Sequence, residues 1–140
     1  MTVCLDTGVF LQIFGRKQPF YPILRALLEG RLVLAVSTEI LLEYEEVTGR
    51  LCGSARWGDI MTLLQLIDQL HGNIYQIEPQ YRFSVIAADP DDNKFCDCAI
   101  TASADFVVTE DHHFVALNSA GYKPRPITPE QLIRLNLSAS

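Results

Sequence analysis

Apolar residues occur in this chain in two arrangements. Short continuous runs, Val3-Cys4-Leu5, Leu32-Val33-Leu34-Ala35-Val36 and Phe106-Val107-Val108, alternate with longer stretches where apolar positions recur every three or four residues. Runs this short are expected of strands covered on both faces, whereas the wider spacing marks amphipathic helices. A helix over 22–29 carries Ile23, Leu24, Leu27 and Leu28 on one face and ends at Gly30. Ser37 is an N-cap for a helix from 38 to about 50, with Ile40, Leu41, Tyr44 and Val47 at helical spacing. A second long amphipathic segment covers 57–70 and stops near Gly72-Asn73, and 74–77 is a candidate strand. A further helix begins at 91–93 and runs to Ser103, a strand covers 106–109, and a last helix over 129–135 has Thr128 as cap and Pro129 in its first turn. Strands separated by helices imply βαβ units, hence a three-layer α/β/α sandwich around a mostly parallel sheet.

Composition narrows this reading. The chain has 140 residues, the size of one domain, and no repeat or linker divides 1–140. No apolar stretch approaches the ~18 residues of a membrane span. The opening Met1-Thr2-Val3-Cys4-Leu5-Asp6 lacks a basic leader segment, so a cytoplasmic protein is expected. There is no C-x-x-C, and Cys96 and Cys98 would point to different helix faces, so the cysteines read as reduced side chains rather than zinc ligands. Lys and Arg number 11 against 17 Asp and Glu, a net charge of −6. That balance argues against tight non-specific grip on nucleic-acid phosphates, although it allows an enzyme whose acids are masked by divalent cations.

Acidic residues stand where strands hand over to turns or helices. Asp6 follows the first apolar run directly; an Asx-turn or N-cap would account for it equally well on its own. The tripeptide Asp6-Thr7-Gly8 also matches the loop of aspartic proteases, but those are all-β and this chain has long helices. Glu43 lies one turn into a helix, at the border of its apolar stripe, whereas Glu39, Glu45 and Glu46 read as its solvated face. In Asp89-Pro90-Asp91-Asp92-Asn93-Lys94-Phe95-Cys96-Asp97 the helix dipole explains an acid or two, and a surplus remains. Asn93 and Asp97 share a helix face, with Asp92 just ahead at the terminus. Thr109 and Asp111 end the last clear run. With Asp111, His112 and His113 would suggest a histidine-assisted metal site, but adjacent residues do not readily direct both rings to one ion, so exposed loop histidines are the favoured reading. In a parallel sheet all of these strand ends share one edge, where ligands bind. Carboxylates gathered there would repel unless cations sat between them, which suggests Mg²⁺ or Mn²⁺ and phosphodiester chemistry.

In this order, the motifs resemble a PIN-domain nuclease, specifically the bacterial and archaeal group described as toxin components of toxin–antitoxin systems. The resemblance spans nearly the whole chain. It rests on Val3-Cys4-Leu5-Asp6-Thr7, on Leu34-Ala35-Val36-Ser37 leading to Ile40-Leu41-Leu42-Glu43-Tyr44, on Asp89-Pro90-Asp91-Asp92-Asn93-Lys94-Phe95, and on Ala104-Asp105-Phe106-Val107-Val108-Thr109-Glu110-Asp111. It implies Asp6 as first acid, Glu43 as second, Asp92 or Asp97 as third and Asp111 as last, with Thr7, Ser37, Asn93 and Thr109 in support. Two positions depart from the family: Gly8 stands where Asn usually orders the turn, and Ser103 replaces a common Gly.

The resemblance implies a Mg²⁺- or Mn²⁺-dependent endoribonuclease acting on single-stranded or loop RNA, with an antitoxin partner and dimers common in the family. Asp6 and Asp92 would be direct metal ligands, while Glu43, Asp97 and Asp111 would orient water or hold a second ion. A catalytically weak PIN-like binding module is the alternative that Gly8 and the acidic charge favour. A phospho-acceptor domain fits less well, since Lys123 alone matches its pattern.

Overall fold

The computed structural model describes residues 1–137. Its core is a five-stranded, all-parallel sheet built from β1 (Thr2–Leu5), β2 (Val33–Val36), β3 (Ile74–Gln76), β4 (Phe106–Val108) and β5 (Arg125–Ile127), in the order β3-β2-β1-β4-β5. The helices are α1 (Thr7–Phe10), α2 (Tyr21–Leu28), α3 (Thr38–Cys52), α4 (Ser54–His71), α5 (Asn93–Thr101) and α6 (Pro129–Leu132). From β1 the chain winds outward to β2 and β3, then returns past β1 to β4 and β5. Right-handed crossovers in opposite directions place their helices on opposite faces of the sheet. The expected three-layer architecture is therefore present, with a sheet that is wholly rather than mostly parallel.

The central strands are buried as their composition requires: Val3, Cys4, Leu5, Leu34, Ala35, Val107 and Val108 are inaccessible. Tyr44 of α3 stacks on Phe10 of α1, ring centroids 3.7 Å apart and planes 6° from parallel. Its hydroxyl donates to the Leu5 carbonyl at the end of β1. This stack ties the first turn of the 7–10 helix to the middle of α3, and so fixes Asp6 relative to Glu43.

Several elements differ from the sequence expectation. The sequence pattern does not announce β5, whose three residues include Pro126 and give little strand signal. Pro is tolerated here because β5 is an edge strand. The helix expected over 57–70 starts three residues earlier, at Ser54, directly after Gly53 with φ +92°. The helix expected over 129–135 is α-helical only to Leu132 and continues as a π-helical turn, Ile133–Leu137. The helix expected to end at about 50 runs on to Cys52. Two 3₁₀ segments, Pro90–Asp92 and His112–Ser119, had no periodic signal to announce them.

Candidate active site

The strand order reverses direction between β1 and β4, which makes the carboxyl ends of these neighbours a topological switch point. Asp6 follows β1 there and Thr109 follows β4; the Asp6 N–H donates to the Val108 carbonyl at 3.0 Å. Asp6 caps α1, its Oδ1 accepting the Thr7 N–H at 2.8 Å. Its Oδ2 accepts the Thr109 hydroxyl, also at 2.8 Å. The capping reading of this aspartate is thus realised by one oxygen, and the other accepts from Thr109 at the end of β4.

Thr109 is 4% exposed and works in both directions. While donating to Asp6 it accepts the Asp111 N–H at 2.9 Å, so one hydroxyl sets the spacing of two acids. Burial raises the Asp6 carboxyl pKa. The bonds from Thr109 and Thr7 oppose that rise, and the charges of Asp111 and Glu43 add to it.

Glu43 reaches the group from α3, whose N-cap Ser37 accepts the Ile40 N–H at 3.2 Å. Both of its oxygens are engaged: the Thr7 hydroxyl donates to Oε2, and the Lys94 ammonium lies 2.5 Å from Oε1. Lys94 is 10% exposed along its side chain. Burial is the largest single influence and would lower the ammonium pKa, but the bond and charge of Glu43 together with the charges of Asp91 and Glu39 outweigh it, and the net direction is up. Lys94 thus joins the acids, a neighbour that the sequence pattern does not single out. Its only signal was position, two residues beyond Asp92 in the same helical turn.

Asp92 closes the Pro90–Asp92 turn. Its carboxyl is raised to about 7, first by burial and then by the charges of Asp89, Asp6, Asp111 and Glu43. Its Oδ2 is buried without a hydrogen-bond partner. Asp6, Glu43, Asp92 and Asp111 therefore form one electrostatic group. Asp97 is placed elsewhere. Five residues at 100° each turn it about 140° around the helix from Asp92, and its Oδ1 accepts the Phe83 N–H at 3.0 Å, close to the Arg82 charge. Asn93, on the same face as Asp97, bonds both the N–H and the carbonyl of Ile86, at 2.8 and 2.9 Å. Together these two side chains hold the irregular 77–89 segment against α5. That geometry accounts for an acid in an otherwise small, apolar helix and removes the need to place Asp97 in the acidic group.

The histidines divide. His112 is 90% exposed, as a loop residue should be. His113 is not: a ring nitrogen lies within 4.8 Å of one carboxylate oxygen each from Asp89 and Asp92, a grouping with metal-ligand spacing. Asp111, His112 and His113 form a second grouping of the same kind. Asp89 and His113 are brought together by two irregular segments whose path carries no sequence periodicity. At Gly8, no atom lies within 4 Å of where a Cβ would stand, so a side chain there meets no clash at its first carbon.

The donor set suits a hard divalent cation. It offers carboxylate oxygens in mutual repulsion, and one of them is buried and unpartnered, as expected where a cation supplies the missing contact. Among the described residues, Asp92 and Asp111 each belong to a grouping at metal-ligand spacing, whereas Asp6 belongs to neither. The cysteines take no part: Cys4, Cys96 and Cys98 are buried free thiols and Cys52 is an exposed one.

Comparisons with known proteins agree with this architecture. VapBC2 from Rickettsia felis, crystallised bound to a DNA fragment from their promoter, aligns with a TM-score of 0.58 at 14% identity, over 90% of this chain and 98% of that one. FitAcB from Neisseria gonorrhoeae gives 0.56 at 20% identity, over 91% and 98%. VapBC-1 from nontypeable Haemophilus influenzae gives 0.57 at 11% identity, over 93% and 99%. At these identities the likeness is one of fold. A comparison with curated proteins finds no match. The sequence profile of the family described as PIN domain, however, matches residues 2–113, which contain every acid of the site, and the chain belongs to that family.

Proposed function

We propose that the protein is a Mg²⁺- or Mn²⁺-dependent endoribonuclease and the toxin of a toxin–antitoxin pair. The observation that carries this reading is the meeting of Asp6, Glu43, Asp92 and Asp111 at the switch point, with Asp92 Oδ2 buried and unpartnered. A bound divalent ion would polarise the scissile phosphate and supply hydroxide for an in-line displacement. The chain's own residues do the positioning. Thr109 holds Asp6 and Asp111 at fixed spacing, while the Lys94 ammonium fixes Glu43 and offsets its charge beside the other acids. With a net charge of −6, the protein has little to attract a phosphate backbone on its own. RNA affinity therefore follows metal occupancy, and single-stranded or loop RNA, with its splayed bases and 2′-hydroxyls, suits a surface without a basic groove. The toxin assignment and the antitoxin partner rest on the sequence resemblance and on the VapBC and FitAcB folds.

The test is cleavage of labelled single-stranded RNA with Mg²⁺ or Mn²⁺, beside EDTA and Asp6→Asn controls. Cleavage that disappears in both controls supports the reading. Asp6→Asn should keep or slightly raise the melting temperature, since it removes one charge from a repelling group. Wild-type cleavage by Asp6→Asn would overturn the assignment. Inactivity with every metal would favour the binding-module alternative.

A further inference from the structure

We propose that His113 supplies a nitrogen ligand to the metal held by Asp89 and Asp92, making this a mixed oxygen–nitrogen site that prefers Mn²⁺ and later first-row ions to Mg²⁺. The inference rests on the metal-dependent reading above and specifies which ion the site selects. Three observations carry it. A His113 ring nitrogen and one oxygen each of Asp89 and Asp92 stand at ligand spacing, within 4.8 Å. Asp92 Oδ2 and His113 Nδ1 are both buried atoms without a hydrogen-bond partner. The residue is also anchored, because its backbone N–H donates to Asp111 Oδ1 at 2.9 Å.

Simpler roles for these groups are incomplete. If His113 only balanced Asp111, its Nδ1 would hydrogen-bond that carboxylate; instead it stands 3.5 Å from Oδ1 and makes no hydrogen bond. Asp89 spends Oδ1 on the Asp91 N–H at 3.2 Å, capping the 3₁₀ turn, and keeps its other oxygen. The Lys94 ammonium is committed to Glu43 at 2.5 Å and approaches Asp91 at 3.8 Å. Among the described residues no ion pair joins it to Asp92, so the charge there is left for another cation. Mg²⁺ favours an all-oxygen octahedron, while imidazole raises affinity for transition ions along the Irving–Williams series.

The full chain, stripped of metal, is titrated with Mn²⁺ and followed by EPR, and the bound ion is probed by electron spin echo modulation for coupled ¹⁴N. The proposal predicts imidazole-type ¹⁴N modulation in the wild type, lost on ¹⁵N-histidine labelling. His113→Gln should lose it and weaken Mn²⁺ binding by about tenfold or more, with Mg²⁺ affinity changed by no more than roughly twofold. His112→Gln should retain the modulation. Because the wild-type spectrum is itself decisive, the test does not depend on how His113→Gln folds. Bound Mn²⁺ without nitrogen coupling, or coupling that survives His113→Gln, would overturn the His113 assignment and leave the metal-dependent reading standing. Failure to bind Mn²⁺ at all would overturn both.

Discussion

At the scale of single residues, Thr109 governs the geometry of the acidic group, since one hydroxyl bonds both Asp6 and the Asp111 backbone. Thr109→Val keeps the shape but leaves the Asp111 N–H unpaired and Asp6 short of a donor, at a cost of about 1–3 kcal/mol. RNA cleavage should fall with it, while Thr109→Ser should restore both stability and activity; thermal melts and cleavage rates check the pair. Asp92 gives a pH signature. Its folded pKa stands near 7 against an ordinary 3.8, so the metal-free native state binds this proton more tightly than the unfolded chain. Its contribution to stability is therefore full below the ordinary value and is lost as pH rises through about 7. Melting temperatures in EDTA should decline across that window, and Asp92→Asn should flatten the decline. An identical slope in the variant would show that other groups set it.

At the scale of elements, α5 serves two functions from two faces. Its leading end presents Asp92 and Lys94 to the acids, and the face bearing Asn93 and Asp97 holds the 77–89 segment. Asn93→Ala removes two bonds to Ile86. It should cost about 1–3 kcal/mol and speed amide exchange at Ile86, with less effect at the strand ends. Exchange mass spectrometry reads this directly. The sequence pattern made β1, β2, β4 and α3 legible, because buried parallel strands and a capped amphipathic helix have strong periodic signals. It could not separate Asp92 from Asp97, since both stand in one acidic run and only the helical turn between them decides which way each points. β5 stayed hidden behind Pro126, and His113 behind a 3₁₀ segment whose path depends on tertiary packing.

At the scale of the whole molecule, the fold gathers charge that its composition scatters. A chain with excess acid concentrates part of that excess at one sheet edge, because the reversal of strand order places the ends of β1 and β4 side by side. The folded chain thereby holds repelling carboxylates together, a repulsion that a bound divalent cation would relieve. The PIN domain profile covers the part of the chain from β1 through His113. β5 and α6 lie beyond it and complete the sheet edge next to β4. We infer that Asp92, and not Asp97, belongs to the working acidic group. It is tested most directly by comparing Asp92→Asn and Asp97→Asn with wild type on labelled single-stranded RNA in Mn²⁺, with melting curves for each. The account predicts that Asp92→Asn loses cleavage with its fold intact, while Asp97→Asn melts earlier and still cleaves at temperatures where it is folded. Cleavage by Asp92→Asn together with an inactive, fully folded Asp97→Asn would contradict it.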